Sequence, residues 1–182
     1  MEDFSLYVLD ITMNSVKAGA DEIGISIVEE GDTLTLTVTD NGCGMTKEQL
    51  AHLTDPFFTT RKTRGVGLGV PLLKMLSEMT GGSLTVTSTP EPNADHGTTL
   101  RATFGRHHID FVPLGDLVGT VVTLVQGSPA VNFTYTHRTE KAEAAFSSAE
   151  VRAILGEEIS LSEPEVLGWI EGDLREQYTA LS

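Results

Sequence analysis

The sequence predicts an α/β fold, a two-layer α/β sandwich in which helices cover one face of a mixed, mostly antiparallel sheet. Helical and strand-like periodicities alternate along residues 4–105 in the order helix, two strands, helix, two strands. Two glycine-rich loops, Asp40–Gly44 and Gly65–Gly69, interrupt this order. A shorter α/β pattern fills the remainder, so we predict an N-terminal domain over residues 1–105 and a small C-terminal region over 106–182.

Composition restricts the class of protein. The chain has 182 residues, of which 40% are hydrophobic, and this is enough for a packed core. A formal net charge of −14 argues against attraction to nucleic acid or anionic lipid. The single cysteine, Cys43, excludes an intrachain disulfide framework. We see no secretion leader and no apolar run near the roughly 18 residues of a membrane span, so we expect a cytoplasmic protein with no membrane partner.

The first helix is predicted over residues 5–20, where apolar side chains recur at helical spacing. On an adjacent face, Asp10, Asn14 and Lys17 follow one another at i, i+4 and i+7. One helix therefore presents a carboxylate, an amide and an amine together. Alone, this pattern is typical of a solvated polar face, but the glycine loops downstream favour a binding site.

Two strands follow, because apolar residues alternate over 23–27 and 34–38 across a turn at Glu29–Asp32. The second strand ends at Asp40, which places an acid at the start of the first glycine loop. Thr46 and the glutamine three residues later then form a capping box that opens a short helix.

The segment Asp55–Arg61 lies between the two glycine loops and combines adjacent phenylalanines, hydroxyls and bases. Such a segment predicts a mobile cover whose cations reach an anionic ligand, and an ordinary surface loop is the alternative. The second glycine loop leads directly into a helix over 70–79. Glycines let backbone amides approach phosphate oxygens, and a helix N-terminus favours an anion, so the pair of loops predicts a nucleotide pocket.

On these motifs, residues 4–105 resemble the GHKL ATPase superfamily, named for gyrase, a heat-shock chaperone, histidine kinases and MutL. The resemblance implies the Bergerat fold, which is an α/β sandwich of the predicted kind. Four boxes match in order: Asp10–Lys17 is similar to the N box, Asp40–Gly44 to the Asp-x-Gly-x-Gly box, Pro56–Arg61 to the kinase-type phenylalanine box and Gly65–Gly69 to the second glycine box. Only nine residues precede Asp10, so we expect a stand-alone histidine-kinase-like ATPase domain without the phospho-acceptor histidine domain.

The resemblance implies ATP and Mg²⁺ as ligands and suggests roles for single positions. Asn14 would hold Mg²⁺ through its side-chain oxygen, Asp40 would accept from the adenine amino group, and Thr98 would support the same base. Arg61 matches the basic residue that meets the γ-phosphate. The other nucleotide-binding positions that the resemblance implies are Lys17, Gly42, Gly44, Met45, Gly65, Val66, Gly67, Leu68 and Gly69.

Asp10 departs from the family pattern. Gyrase, mismatch-repair ATPases and the anti-sigma factor serine kinases have glutamate here, which activates a water or a serine hydroxyl, whereas most sensor histidine kinases lack the carboxylate. Aspartate is shorter by one carbon–carbon bond, about 1.5 Å. Two roles therefore stay open for Asp10, that of catalytic base and that of orienting a water on the metal.

Two classes of function follow from these features. The chain would act as an ATPase or as a protein kinase in trans in bacterial regulation, on an unidentified protein partner or phospho-acceptor. The alternative is a nucleotide-gated binding or adaptor module with little or no turnover. The resemblance is also compatible with a homodimer.

Residues 106–182 lie outside the resemblance, and their core is thin, so we expect them to pack on the ATPase domain or on a partner. Their predicted elements are a helix over 114–127, strands over 131–135 and 142–146, a short helix capped by Ser147, and a last helix opened by Ser162 and Pro164. Residues 140–182 carry ten acids against three bases. This charge predicts either a solvated face or an acidic docking surface for a basic partner.

Overall fold

The structure is a computed structural model that describes residues 1–55 and 68–182. Helices and strands alternate in the predicted order. The elements are α1 (Phe4–Lys17), β1 (Glu22–Glu30), β2 (Thr33–Asp40), α2 (Lys47–His52), α3 (Gly69–Met79), β3 (Leu84–Thr89), β4 (Gly97–Gly105), α4 (Leu117–Gly127), β5 (Asn132–Arg138), β6 (Glu143–Ser147), α5 (Ser148–Leu155) and α6 (Pro164–Thr179).

The strands form a six-stranded sheet in the order β3-β4-β2-β1-β5-β6. Every neighbouring pair is antiparallel except β1 and β5, which run parallel. The predicted α/β sandwich with a mixed, mostly antiparallel sheet is therefore confirmed. In the β1–β2 hairpin, Gly31 takes a positive φ of 57° in the turn, and Ile23 lies opposite Asp40 at the far end. The hairpin thus places Asp40 at the end of a central strand, close to the end of α1.

The two faces of the sheet differ in polarity because successive side chains of a strand point to opposite sides. On β1, Ile23, Ile25 and Ile27 are buried and belong to the core that the helices cover. In that core the rings of Phe4 on α1 and Phe104 on β4 meet edge to face at 5.5 Å. The opposite face carries mostly threonines and other polar side chains, so the helices occupy one side of the sheet only.

The C-terminal strands extend the sheet of the N-terminal half. Strand β5 pairs with β1 from Glu22 opposite Asn132 to Val28 opposite Arg138, and β6 pairs with β5. Helix α4 packs on both α1 and α6. Residues 106–182 therefore share a core with residues 1–105, and the division of the chain at residue 105 stays a prediction.

Helix starts follow local capping chemistry, except that the N-caps of α3 and α6 make no side-chain bond. Thr46 accepts from the Gln49 amide at 3.2 Å and Gln49 accepts from the Thr46 amide at 2.9 Å, which confirms the predicted capping box. The prediction that Ser162 opens the last helix is wrong, because the helix begins at Pro164 and the N-cap is Glu163, without a side-chain bond. Proline at the first helical position makes the residue immediately before it the cap. Across the described ranges, no helix combines the length and apolar character that crossing a bilayer requires.

Candidate active site

A cavity of about 420 Å³ lies between α1, the loop after β2 and the beginning of α3. Its walls are largely apolar with a few polar groups, which is the usual character of a small-molecule site. The lining residues are Ile11, Asn14, Ser15, Lys17, Ala18, Val38, Asp40, Cys43, Gly44, Met45, Gln49, Leu53, Val70, Val86, Thr98 and Leu100. Six of the predicted site residues are brought together here: Asn14, Lys17, Asp40, Gly44, Met45 and Thr98.

The Asp40 carboxylate is fixed from two sides. Its Oδ2 accepts from the Ser15 hydroxyl at 2.6 Å, and its Oδ1 accepts from the Gly42 amide at 2.9 Å. An ionised carboxylate offers about four acceptor sites, so capacity remains for a donor on a ligand. Gly42 itself is buried behind the cavity, where a Cβ would come within 2.8 Å of the Ala18 side chain. Ser15 was not among the predicted site residues. The indication in the sequence was its position immediately after Asn14, on the buried side of α1.

Thr98 belongs to a small hydroxyl network on the other side of the cavity. Its Oγ1 lies 2.8 Å from the Ser88 Oγ, which also accepts from the Met45 amide at 2.8 Å and lies 3.0 Å from the Gly97 carbonyl oxygen. Ser88 therefore joins two strands to the first glycine loop. Sequence reasoning did not assign Ser88 either, because its role follows from the β3–β4 register that places it opposite Thr98.

The loop between β3 and β4 closes over the first glycine loop. The Glu91 amide donates to the Cys43 carbonyl at 2.9 Å, and His96 Nδ1 lies 2.6 Å from the Gly42 carbonyl oxygen. Gly44 has a positive φ of 69°, and a Cβ there would collide with the Thr89 carbonyl. The position accordingly requires glycine for both its dihedral angle and its close approach.

Asp10 lies at the end of the site where α1 meets α3. Its carboxylate packs so closely against Gly69 that a Cβ at that glycine would collide with it. Gly69 is the first residue of α3, and the N-cap, Leu68, is exposed and gives no side-chain capping bond. The first backbone N–H groups of α3 therefore face this end of the site and have no side-chain cap. They are available to donate to a bound anion.

Asn14 follows Asp10 by one helical turn. Within residues 1–55 and 68–182, no hydrogen bond engages the Asp10 carboxylate or the side-chain amide of Asn14. The same ranges contain no group of three or more His, Cys, Asp or Glu suited to a metal ion. One amide and one carboxylate form a sparse oxygen set, which fits Mg²⁺ because that ion keeps several waters and shares substrate phosphates. The predictions for Arg61, Gly65, Val66 and Gly67 lie outside the described residues.

A sequence model of the family described as histidine kinase-, DNA gyrase B- and HSP90-like ATPase matches residues 2–108. The chain belongs to this ATPase family. The GHKL resemblance is thereby confirmed, and the cavity lies in the ATPase domain, which supports ATP as its ligand. Asp40, Thr98 and Asn14 all fall within the matched segment, whereas α4 to α6 fall outside it.

Two curated relatives each match a little over half of the chain. The non-motile and phage-resistance protein of Caulobacter vibrioides is 34% identical over 114 residues, which cover 57% of this chain and 13% of that protein. A probable C4-dicarboxylate sensor kinase of Bacillus subtilis is 32% identical over 93 residues, covering 51% of this chain and 17% of that protein. The chain thus spans less than a fifth of the length of these relatives.

A solved structure extends the likeness in fold beyond the matched segment. The MutL ATPase domain of Aquifex aeolicus, complexed with ADP, superposes with a TM-score of 0.54 at 16% identity. The superposition covers 81% of this chain and 63% of that structure. The chain therefore shares its general architecture with the MutL domain.

Proposed function

We propose that the chain binds Mg-ATP in the 420 Å³ cavity and transfers the γ-phosphate to water or to a side chain of another protein. The observation that carries this proposal is the uncommitted carboxylate of Asp10, one turn before Asn14 and packed against the first residue of α3. A base beside uncapped helix amides is suited to chemistry on a bound phosphate.

Adenine recognition falls to Asp40 and Thr98. The Asp40 carboxylate is held by Ser15 and Gly42 and would accept from the exocyclic amino group of the base. The Thr98 hydroxyl, oriented by Ser88, would meet the same edge of the base directly or through a water. Apolar residues such as Ile11 and Val38 would cover the ring faces.

The phosphates would lie along the second glycine loop toward α3. Asn14 would hold Mg²⁺ through its side-chain oxygen, and bound Mg²⁺ would neutralise phosphate charge. Gly65, Val66, Gly67, Leu68 and Gly69 would donate backbone amides, with Lys17 and Arg61 as the cations that meet the phosphates. Asp10 would then take the proton from the attacking water or hydroxyl, or would instead orient a water on the metal.

The first test is release of γ-phosphate from Mg-ATP, run beside a calorimetric ATP titration. We expect Asp10→Asn to abolish turnover while leaving ATP affinity within about twofold, because the amide keeps the shape but cannot take a proton. The matched control is Asp173→Asn on the exposed face of α6, which should change neither quantity. Unchanged turnover in Asp10→Asn, or equal loss of turnover and affinity, would remove Asp10 from the role of base.

A nucleotide-gated adaptor with little turnover is the second candidate. The feature that favours it is the exposed acidic surface of residues 140–182, which lies outside the matched segment. Transfer of label from [γ-³²P]ATP to a co-purified partner would favour the kinase, whereas tight ATP binding without release or transfer would favour the adaptor.

We further propose a cytoplasmic location, and a homodimer as one assembly that sedimentation would detect.

A further inference from the structure

An exposed apolar groove lies between the end of α5 and the first turns of α6. It has a volume of about 520 Å³, and its apolar walls are Leu155, Ile159, Val166 and Trp169. Trp169 is 53% exposed and Ile159 is 44% exposed. We call this feature the Trp169 groove. Exposed tryptophan in a concave apolar surface is characteristic of protein interaction sites, where Trp is enriched among the residues that contribute most to binding.

The rim of the Trp169 groove is acidic. Glu163 and Glu165 line it, and Glu157 and Glu158 lie in the loop that leads into it. All four are exposed, and none makes an ion pair in the portion of the chain that the structure describes.

The nearest base along the chain does not neutralise this rim. Arg152 of α5 points inward, where its guanidinium donates to the Asn132 side chain and to the carbonyls of Pro129 and Val131. The groove therefore keeps an uncompensated negative edge around an apolar floor.

We propose that the Trp169 groove docks a basic amphipathic segment of a partner protein. One or two apolar side chains of that segment fill the groove beside Trp169, and its lysines or arginines lie along the glutamate rim. Charge favours this occupant over a second copy of the chain, because a two-fold interface would place the same acidic rim against itself. The net charge of −14 also disfavours association between two copies of the chain. The residues that line this groove are distinct from those that line the nucleotide cavity, so the test of the groove does not require ATP turnover.

The chain contains one tryptophan, so its emission reports on the groove directly. The probe is a synthetic helical peptide with two leucines one turn apart on a lysine-rich background, and the control peptide has glutamate in place of lysine. We expect the lysine peptide to shift Trp169 emission to shorter wavelength in a saturable way that weakens as salt rises. The glutamate peptide should have no effect.

The rim is tested with paired variants. Glu163→Gln with Glu165→Gln should weaken peptide binding roughly three- to tenfold, the range expected for two exposed ion pairs. The matched control, Asp173→Asn with Glu176→Gln, removes two acids from the other end of α6 and should change affinity less than twofold. Unchanged emission with the lysine peptide, or an equal response to both peptides, would overturn the proposal. Emission that shifts when the protein alone is diluted would identify a second copy as the occupant and would overturn it too.

Discussion

Single side chains of the candidate site are held in place before any ligand binds. Asp40 accepts from Ser15 and Gly42, so its carboxylate is already oriented toward the cavity. The Ser88 hydroxyl likewise orients the Thr98 hydroxyl on the neighbouring strand. Preorganised groups lower the entropy cost of binding, which is why these supporting hydroxyls matter as much as the groups that would touch the base.

Asn14→Ala is predicted to weaken Mg-ATP binding about ten- to a hundredfold and metal-free ATP binding less than twofold. The reason is that the amide oxygen would contact the metal and would make no direct contact with the base. Calorimetric titrations with Mg²⁺ and with a chelator measure the two affinities. Gln126→Ala, an amide truncation on the exposed face of α4, serves as the control. Equal losses in the two titrations would contradict the metal role.

At the scale of elements, the site depends on how closely two helices approach. Helix α1 presents Asp10 to the first residue of α3, and this contact is available only because that residue is glycine. The closeness places the carboxylate beside the uncapped amides of α3. A helix pair that packed further apart would separate the base from the phosphate site.

Gly69→Ala is therefore predicted to lower ATP turnover at least about tenfold while changing ATP affinity less, because the new Cβ displaces the Asp10 carboxylate. Phosphate release and calorimetry give the two quantities, and the thermal midpoint checks the fold. Gly127→Ala at the end of α4 is the control, since a Cβ there meets nothing within 4 Å among the described atoms. Normal turnover in Gly69→Ala would mean that the Asp10 position does not govern the reaction.

Helix α6 is joined to the sheet by a buried polar network. The Tyr178 hydroxyl lies 2.5 Å from the Tyr135 hydroxyl and 2.8 Å from His137 Nδ1. His137 Nε2 in turn lies 2.6 Å from the Glu29 carboxylate, whose other oxygen pairs with Arg106 at 3.1 Å. Every buried side-chain polar atom in the described part of the chain has a partner, so the network stabilises one position of α6.

The stability of the protein should fall in alkali because of these tyrosines. Burial, together with the negative charge of Glu29, raises the pKa of Tyr178 to about 12, against the opposing effect of its bond to Tyr135. Burial also raises the pKa of Tyr135. The folded chain holds these protons above the ordinary tyrosine pKa of about 10, so the tyrosines' contribution to the free energy of unfolding is constant below that pH and decreases between pH 10 and 12.

Tyr178→Phe removes one of these protons and should make that decrease less steep by up to about 1.4 kcal/mol per pH unit. At neutral pH it should cost about 1–3 kcal/mol, because the Tyr135 hydroxyl and His137 lose a partner. Urea unfolding at several pH values measures both effects. A slope equal to that of the unmodified protein would show that Tyr178 does not titrate with unfolding.

At the scale of the whole molecule, one core unites the ATPase segment with the C-terminal elements. Phe133 and Tyr135 of β5 belong to the same cluster of buried residues as Ile25 of β1 and Val8 of α1. The parallel β1–β5 pair brings strands from both halves into the centre of the sheet. Neither half can bury its apolar surface fully without the other.

Residues 106–182 expressed alone should therefore stay unfolded, and residues 1–105 alone should lose several kcal/mol of stability, since a central strand of the sheet loses its neighbour. The full chain should unfold in one transition. Circular dichroism and urea titration of the three chains provide the measurement, with the single tryptophan as a second probe of the C-terminal fragment. A separately folded C-terminal fragment would support an independent domain after residue 105.

Much of this architecture could be predicted from the sequence because it depends on near neighbours. Apolar spacing placed α1, and alternation placed the β1–β2 hairpin. The Thr46 capping box needs only residues three apart, and its prediction was right. The start of α6 shows the limit, since Ser162 and Pro164 gave competing local signals and the proline prevailed.

Local sequence pattern therefore predicted the order and type of the elements, the two glycine loops and the ATPase family. Tertiary structure alone decided which distant residues meet. The bond between His137 and Glu29 spans 108 positions, and the bond between Ser15 and Asp40 spans 25. Strand register and helix packing fix such contacts, and they follow from how the whole core packs, which no short stretch of sequence encodes. For that reason the supporting residues Ser15 and Ser88, and the continuous six-stranded sheet, emerged only in the folded chain.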